Sequence, residues 1–424
     1  VAVPPRSNPQ LRRLIGETGL SGGQFAGEVN KVAFENGFRL HYQRASVSQW
    51  CSGTVPRRPV REFIAEALSR RLGRPVSASD AGLEAGPATP GQDPVTDVLR
   101  LLGDEAPYRP TGPGRPAAGT DGARRPWPRP GGKVGKAELA LCVELTAHLS
   151  RSDHLSGSRD ALATLTGFTT TVALPWLSCP SSPATRRRLL VACAHLAALG
   201  GFLYVDQGRH GQAQRWYALA MRLAEEGADP PTKAMVLRSL SVQAYRLGHF
   251  GHALGLAREA GRVADPAQAR LRASVEGQLA LALAANGEPL AARLSLREAE
   301  RALERSSGPV PPLGGYHAAS LAFQRAEVRQ RLGDTGGALR DLELAVRLRP
   351  REELRSQALV LARAGELNLA VGRLDAACAS WSRFLDLRRG LGSHRVEEAH
   401  RIMRAALAPH RNHGFAHQLL TRDR

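Results

Sequence analysis

Apolar residues recur at helical spacing over most of the chain, and the interruptions mark its organisation. Leu11, Leu14 and Ile15 fall at i, i+3 and i+4 behind Asn8-Pro9, an N-cap followed by proline at the first helical position, and Gly19 closes that helix. Ser21 caps a second helix that turns Phe25, Ala26, Val29, Val32 and Ala33 inward and ends at Asn36-Gly37. After FRLHYQ, the stretch QRASVSQWCSGTVPRR from Gln43 predicts a third helix whose inward stripe is Val47, Trp50 and Cys51, stopped by Gly53 and Pro56. A fourth follows Pro59, burying Val60, Phe63, Ile64, Ala67 and Leu68 up to Leu72-Gly73. Ala81 to Lys133 is dominated by Pro and Gly and keeps apolar periodicity only in VTDVLRLLG, so it reads as a linker, with Trp127 a solvent-exposed aromatic within it. From Lys136 the helical pattern runs almost to the end. The expectation is an all-α protein with an N-terminal domain over 1–80, a linker over 81–133 and a helical domain over 134–424.

The third helix has an unusual outer face. Ala45, Ser48, Gln49 and Ser52 are small or polar, so this helix can approach another surface closely. Four short amphipathic helices with such a third member suit a helix-turn-helix domain, in which the third helix enters the major groove. QFAGEVN followed by RASVSQWCSGTVPRR resembles helices two and three of the XRE (lambda-repressor-like) family over roughly the first 75 residues. The segment from Lys31 to Tyr42 is longer than that family's tight turn. The resemblance implies Arg44, Ala45 and Gln49 as base readers, with Ser48 and Ser52 close to the groove. Gln49 suits adenine and Arg44 suits guanine. It also implies Ser21, Arg57 and Arg58 as phosphate contacts.

The helical domain repeats itself. Gly208, Gly248, Gly287, Gly333 and Gly372 align turn for turn, each followed five residues later by Ala213, Ala253, Ala292, Ala338 or Ala377. Ala220, Ala260, Ala299, Ala345 and Phe384 share a further register, and Pro230, Pro266 and Pro350 close units. This resembles the tetratricopeptide (TPR) repeat, although the glycines recur every 39 to 46 residues rather than about 34. Val134–Leu177 is expected to form an earlier divergent repeat or cap, and Val396–Leu420 a terminal capping helix. Such an α-solenoid presents a concave groove. Phe202, Asp206, Arg238, Val242, Tyr245, Arg246, Phe323, Glu327 and Gln330 align with its inner face and are the candidate residues for a peptide, protein or small-molecule effector.

Composition adds limits rather than a function. The formal charge is +19, and every basic residue but Lys31, Lys133, Lys136 and Lys233 is arginine, a bias that fits a GC-rich genome as well as an anionic partner. Five scattered cysteines without C-x-x-C spacing argue against a disulfide framework, and the expected setting is cytoplasmic and nucleoid-associated, with no membrane partner. No uninterrupted apolar run is expected to cross a bilayer. Walker, G-x-S-x-G and H-E-x-x-H patterns do not occur, so no enzyme is expected, and no cofactor. His249 with His252, and His410, His413 and His417, lack the flanking carboxylates or thiolates of a metal site, so solvated histidine is the expectation. The domain order resembles actinobacterial helix-turn-helix/TPR transcriptional regulators, which implies double-stranded DNA as partner, an effector in the array and a homodimer. The competing expectation is a TPR scaffold that does not bind DNA.

Overall fold

The computed structural model describes residues 7–36, 38–74, 76–83, 108, 133–311, 313 and 315–422. Among these the chain is all-α. The N-terminal domain contains α1 (Pro9–Glu17), α2 (Gly22–Glu35), α3 (Arg44–Cys51) and α4 (Arg58–Leu72). Their starts are fixed by the expected caps. Asn8 Oδ1 accepts from Leu11 N at 2.9 Å, and Ser21 and Gln24 form a reciprocal capping box. Gly37, one of the expected stops, lies outside the described residues. Leu11, Leu14, Phe25, Val29, Val47, Trp50, Phe63, Ile64 and Leu68 meet in one core.

The long connector between α2 and α3 is held rather than loose. Asn30 brackets the Tyr42 backbone, donating to its carbonyl and accepting from its N–H at 2.9 Å each, and the Tyr42 ring meets Trp50 edge-on at 4.9 Å. The domain also runs beyond the expected boundary at 80. Ala81 and Leu83 are buried in its core, and Asn8 Nδ2 donates to Ala81 O at 2.9 Å. Trp127 and the VTDVLRLLG stretch lie outside the described residues.

The second domain opens with α5 (Lys136–Ser156), α6 (Ser158–Phe168), a π-helical turn (Thr169–Ala173) and the short α7 (Leu174–Trp176). Hairpins follow in pairs: α8 (Pro183–Asp206) with α9 (His210–Glu226), α10 (Pro230–Arg246) with α11 (Phe250–Val263), and α12 (Ala269–Ala285) with α13 (Pro289–Glu304). Then come α14 (Ala318–Arg331) with α15 (Thr335–Leu348) and α16 (Leu354–Ala370) with α17 (Leu374–Arg388). The aligned glycines are the turn residues of these hairpins, each at φ between +73° and +85°. The residue after each glycine closes a 6→1 bond into the preceding helix, such as His249 N to Ala244 O and Asp334 N to Arg329 O, both 2.9 Å. All ten aligned alanine and phenylalanine positions are fully buried. Gly200 and Gly365 let the paired helices touch, because a Cβ on either would overlap the indole of Trp216 or Trp381. The end is two helices, α18 (His394–Leu407) and α19 (Gly414–Thr421), broken by a 3-10 turn at Ala408–His410, where a single capping helix was expected.

Pro183–Asp206 is long and apolar enough to cross a membrane, with a mean hydropathy of 1.7 over its most apolar window, yet 83% of that window is buried inside the array. It is the first helix of the first hairpin and packs against α5, α6 and α9, which explains its apolar surround.

The array also closes on itself. Arg355 on α16 is 2% exposed and donates to Asp153 Oδ2 on α5 at 2.7 Å and to Asp206 Oδ1 on α8 at 3.2 Å. Asp206 further accepts from Ser158 and Ser393 at 2.7 and 2.9 Å. Backbone bonds complete the seal: Gly392 N donates to Ser156 O at 2.7 Å, and Arg159 N to Gly392 O at 3.2 Å. Gly157, at φ +86°, makes this approach possible, because a Cβ there would lie 2.9 Å from the Gly392 carbonyl carbon. The first helices therefore lock onto α16 and the loop leading into α18, which closes the array into a ring.

Candidate recognition face and the seam behind it

The residues implied for DNA reading share one surface. Arg44, Ala45, Ser48 and Gln49 on α3, Ser52 at its C-cap and Arg57 at the N-cap of α4 are all exposed, while Val47 and Trp50 of the same helix are buried. Ser21 is exposed, but its hydroxyl serves the α2 capping box. Arg58 opens α4, and its side chain lies outside the described residues. A cleft of about 390 Å³ runs beside α3, lined by Arg12, Ile15, Gly22, Arg44, Val47, Ser48 and Cys51. Arg12 was not expected here. Its outward place on α1, between the inward Leu11 and Leu14, was the available signal. Burial raises the Cys51 thiol pKa, opposed by Arg12.

Most of the expected groove residues are engaged inside the array. Asp206 belongs to the closure network, and Phe202 lies under the Arg355 guanidinium at 4.9 Å, so both are corrected from ligand contacts to parts of the ring seal. Arg238 donates to Ser274 O at 3.0 Å and stacks over Tyr316. Tyr245 accepts from Arg331 at 3.1 Å, and that guanidinium also covers Phe250. Glu327, at 2.8 Å, and Gln330 both hold Arg363. Val242 and Phe323 are half-buried. Of the polar members, Arg246 is exposed and makes no hydrogen bond or ion pair among the described residues.

The N-terminal domain docks on this array through α2 and α4. Glu66 on α4 meets His249 at 2.9 Å, both buried, although they are 183 residues apart in sequence. Tyr108, from the expected linker, is 3% exposed and stacks on His249 with ring centroids 5.5 Å apart. Burial raises the Tyr108 pKa, and Glu66 adds to the shift. Arg70 ties Glu66 at 2.7 Å to Glu35 at 2.5 Å; burial opposes its charge, and the two carboxylates overcome that cost. Phe34 of α2 packs against His394, with Arg401 over its ring. His249 is thus a docking residue rather than a solvated one. Among the described residues no cluster suits a metal ion.

The family model described as SP15 N-terminal domain matches residues 11–84; it is not an XRE or helix-turn-helix family. No curated protein matches the chain. The crystal structure of BtubC (BKLC) from P. vanneervenii is similar at 16% identity and a TM-score of 0.35, covering 60% of this chain and 92% of that one.

Proposed function

We propose that the protein is a sequence-specific DNA-binding transcriptional regulator, with α3 of an XRE-type domain as its reading helix and a TPR-like array that senses an effector and pairs two copies. The observation that carries this reading is the face of α3: Arg44, Ala45, Ser48 and Gln49 stay exposed although the domain is docked through α2 and α4. A buried Val47/Trp50 stripe holds the helix, so its small polar face can lie in a major groove. The buried alanine registers of the hairpins support the TPR-like assignment. Development or secondary metabolism is the process that the family resemblance points to. Two domains held roughly 34 Å apart would read a near-palindrome.

Genome-wide DNA occupancy, followed by binding of the full-length protein to the recovered site, tests the reading. Reproducible sites sharing one motif, bound in vitro well above random DNA at the same salt, are expected. Occupancy without a shared motif would leave the scaffold reading in its place.

A further inference from the structure

Three turns of the array and one helix of the N-terminal domain meet behind the recognition domain. Gln207 Nε2 donates to Gly392 O at 2.9 Å, and a Cβ on Gly208 would lie 2.7 Å from His394 Nδ1, so the start of α18 lies against the α8–α9 turn. Gln243 Nε2 donates to His210 O at 2.8 Å, which sets the last turn of α10, ending at Arg246, against the start of α9. Glu66 reaches His249, three residues past Arg246, and brings Arg70 with it. His210, Arg246, Arg395 and Arg70 are thereby gathered in one small region.

The polar groups there do not balance. Arg70 is paired with Glu35 and Glu66, and Arg355 with Asp153 and Asp206. Arg246 and Arg395 make no ion pair or hydrogen bond among the described residues; Glu398, one turn along α18 from Arg395, gives Arg246 only a more distant counter-charge. Arg395 Nε, His210 Nδ1 and Arg70 Nη2 are buried and meet no hydrogen-bond partner. Arg246 is accessible at its surface, yet the surrounding protein is close enough for burial to lower its pKa. Burial and the Arg246 charge lower Arg395 further. His210 is kept neutral by burial and then by Arg246, Arg70, His394 and Arg395, all of them basic. Arg246 is exposed, so this unbalanced cluster of basic groups is reached from solvent.

We propose that this cluster binds one small oxyanion, a phosphate or carboxylate group, held by Arg246 and Arg395 with His210 Nδ1 as a third contact. The planar fork of each guanidinium suits such a group, and the charge an anion brings is the one the two arginines lack. Glu398 and Asp206 place negative charge beside Arg246 and so disfavour a long polyanion. The Nη2 of Arg70 on α4 is also buried without a partner, and its charge acts on His210, so an anion held there would feel array and recognition domain together. This names the ligand class for the sensing half of the proposed function and rests on that half alone.

Calorimetry on the full-length protein without DNA, with phosphate and citrate titrated against chloride at fixed pH and ionic strength, tests the assignment. Saturable binding of at least one oxyanion is expected, and the preferred anion shows which chemistry the site takes. Arg246→Gln and Arg395→Gln should each weaken binding about tenfold or more. Without anion, both variants should melt at or above the wild-type temperature, because each removes half of a like-charged pair. Absence of saturable binding, unchanged affinity in both variants, or a lowered anion-free melting temperature in both would overturn the proposal, the last by making the arginines structural. Since DNA affinity is not read, these outcomes stand apart from the test of DNA binding.

Discussion

Replacing Arg355 by methionine should open the ring. The change keeps most of the side chain's length over Phe202 but removes the charge that joins Asp153 and Asp206, each about 1% exposed. Breaking a buried pair by deleting one partner costs about 3–5 kcal/mol, because the remaining charge stays buried. Asp206 keeps its donors from Ser158 and Ser393, so the stranded carboxylate is Asp153. Burial already raises its pKa to about 6 with Arg355 in place, so without that attraction it climbs further and takes up a proton. The loss is therefore largest at alkaline pH and is partly relieved as pH falls and Asp153 protonates. Hydrogen exchange reads this locally, at the amides of Arg159 and Gly392, which bond across the closure. The free energy corresponds to exchange accelerated about 150- to 5,000-fold, with α12 and α13 unaffected, since solenoid stability passes between neighbours. Exchange at those two amides within about threefold of wild type, or equal acceleration in α12, would refute the closure argument.

Gln49→Ala should cost about 1–3 kcal/mol at the true site and little on random DNA, read by competition binding, whereas Arg57→Ala should weaken both and flatten the salt slope. Trp50 is 3% exposed against Tyr42, so Trp50→Ala should lose about 3–5 kcal/mol and melt the N-terminal domain while the array's helical signal persists; an unchanged N-terminal transition would count against it. His154 is lowered to about 4 by burial and then by Arg355, so the unfolded chain binds the extra proton between about pH 4 and 6.5 and this contribution to stability rises with pH. His154→Gln should then be more stable relative to wild type near pH 4, by up to about 3 kcal/mol, and lose that advantage by pH 6.5; a difference that grows with pH in denaturant titrations would contradict the assignment.

Local signals carried most of the fold. Asn8, Ser21 and the turn glycines act within a few residues, so their capping roles could be read directly from sequence. Contacts between neighbouring repeats also left a trace that spacing could have revealed: Arg238 to Ser274, His317 to Glu353 and Glu327 to Arg363 each join residues 36 apart, close to one repeat. Inner-face register alone could not show that Glu327 and Gln330 were already committed to Arg363. Ring closure left no such trace. Asp206 and Arg355 are 149 residues apart, and although Asp206 ends the apolar α8, nothing near it in sequence points to Arg355 as its partner. The docking of α4 was hidden for the same reason, since Glu66 sits on a charged helix face whose partner is 183 residues away.

That docking changes how the two domains can communicate. A Pro- and Gly-rich tether alone would transmit position poorly, leaving only dimerisation as a switch. Glu66 and His249 instead join α4 directly to the array, with Tyr108 stacked on the joint. Because α4 shares one core with α3 through Phe63, Ile64, Val47 and Trp50, any shift of α4 on the array carries α3 with it. A ligand where array and recognition domain meet can bias this joint only by binding one docked geometry better than another, with couplings typically about 1–3 kcal/mol. Glu66 is the point where such a bias enters, because Glu66→Gln removes the carboxylate charge that meets Arg70 and His249 while keeping the side chain's shape. On the proposed reading, that variant should keep its affinity for a single half-site and lose the array's influence on paired sites.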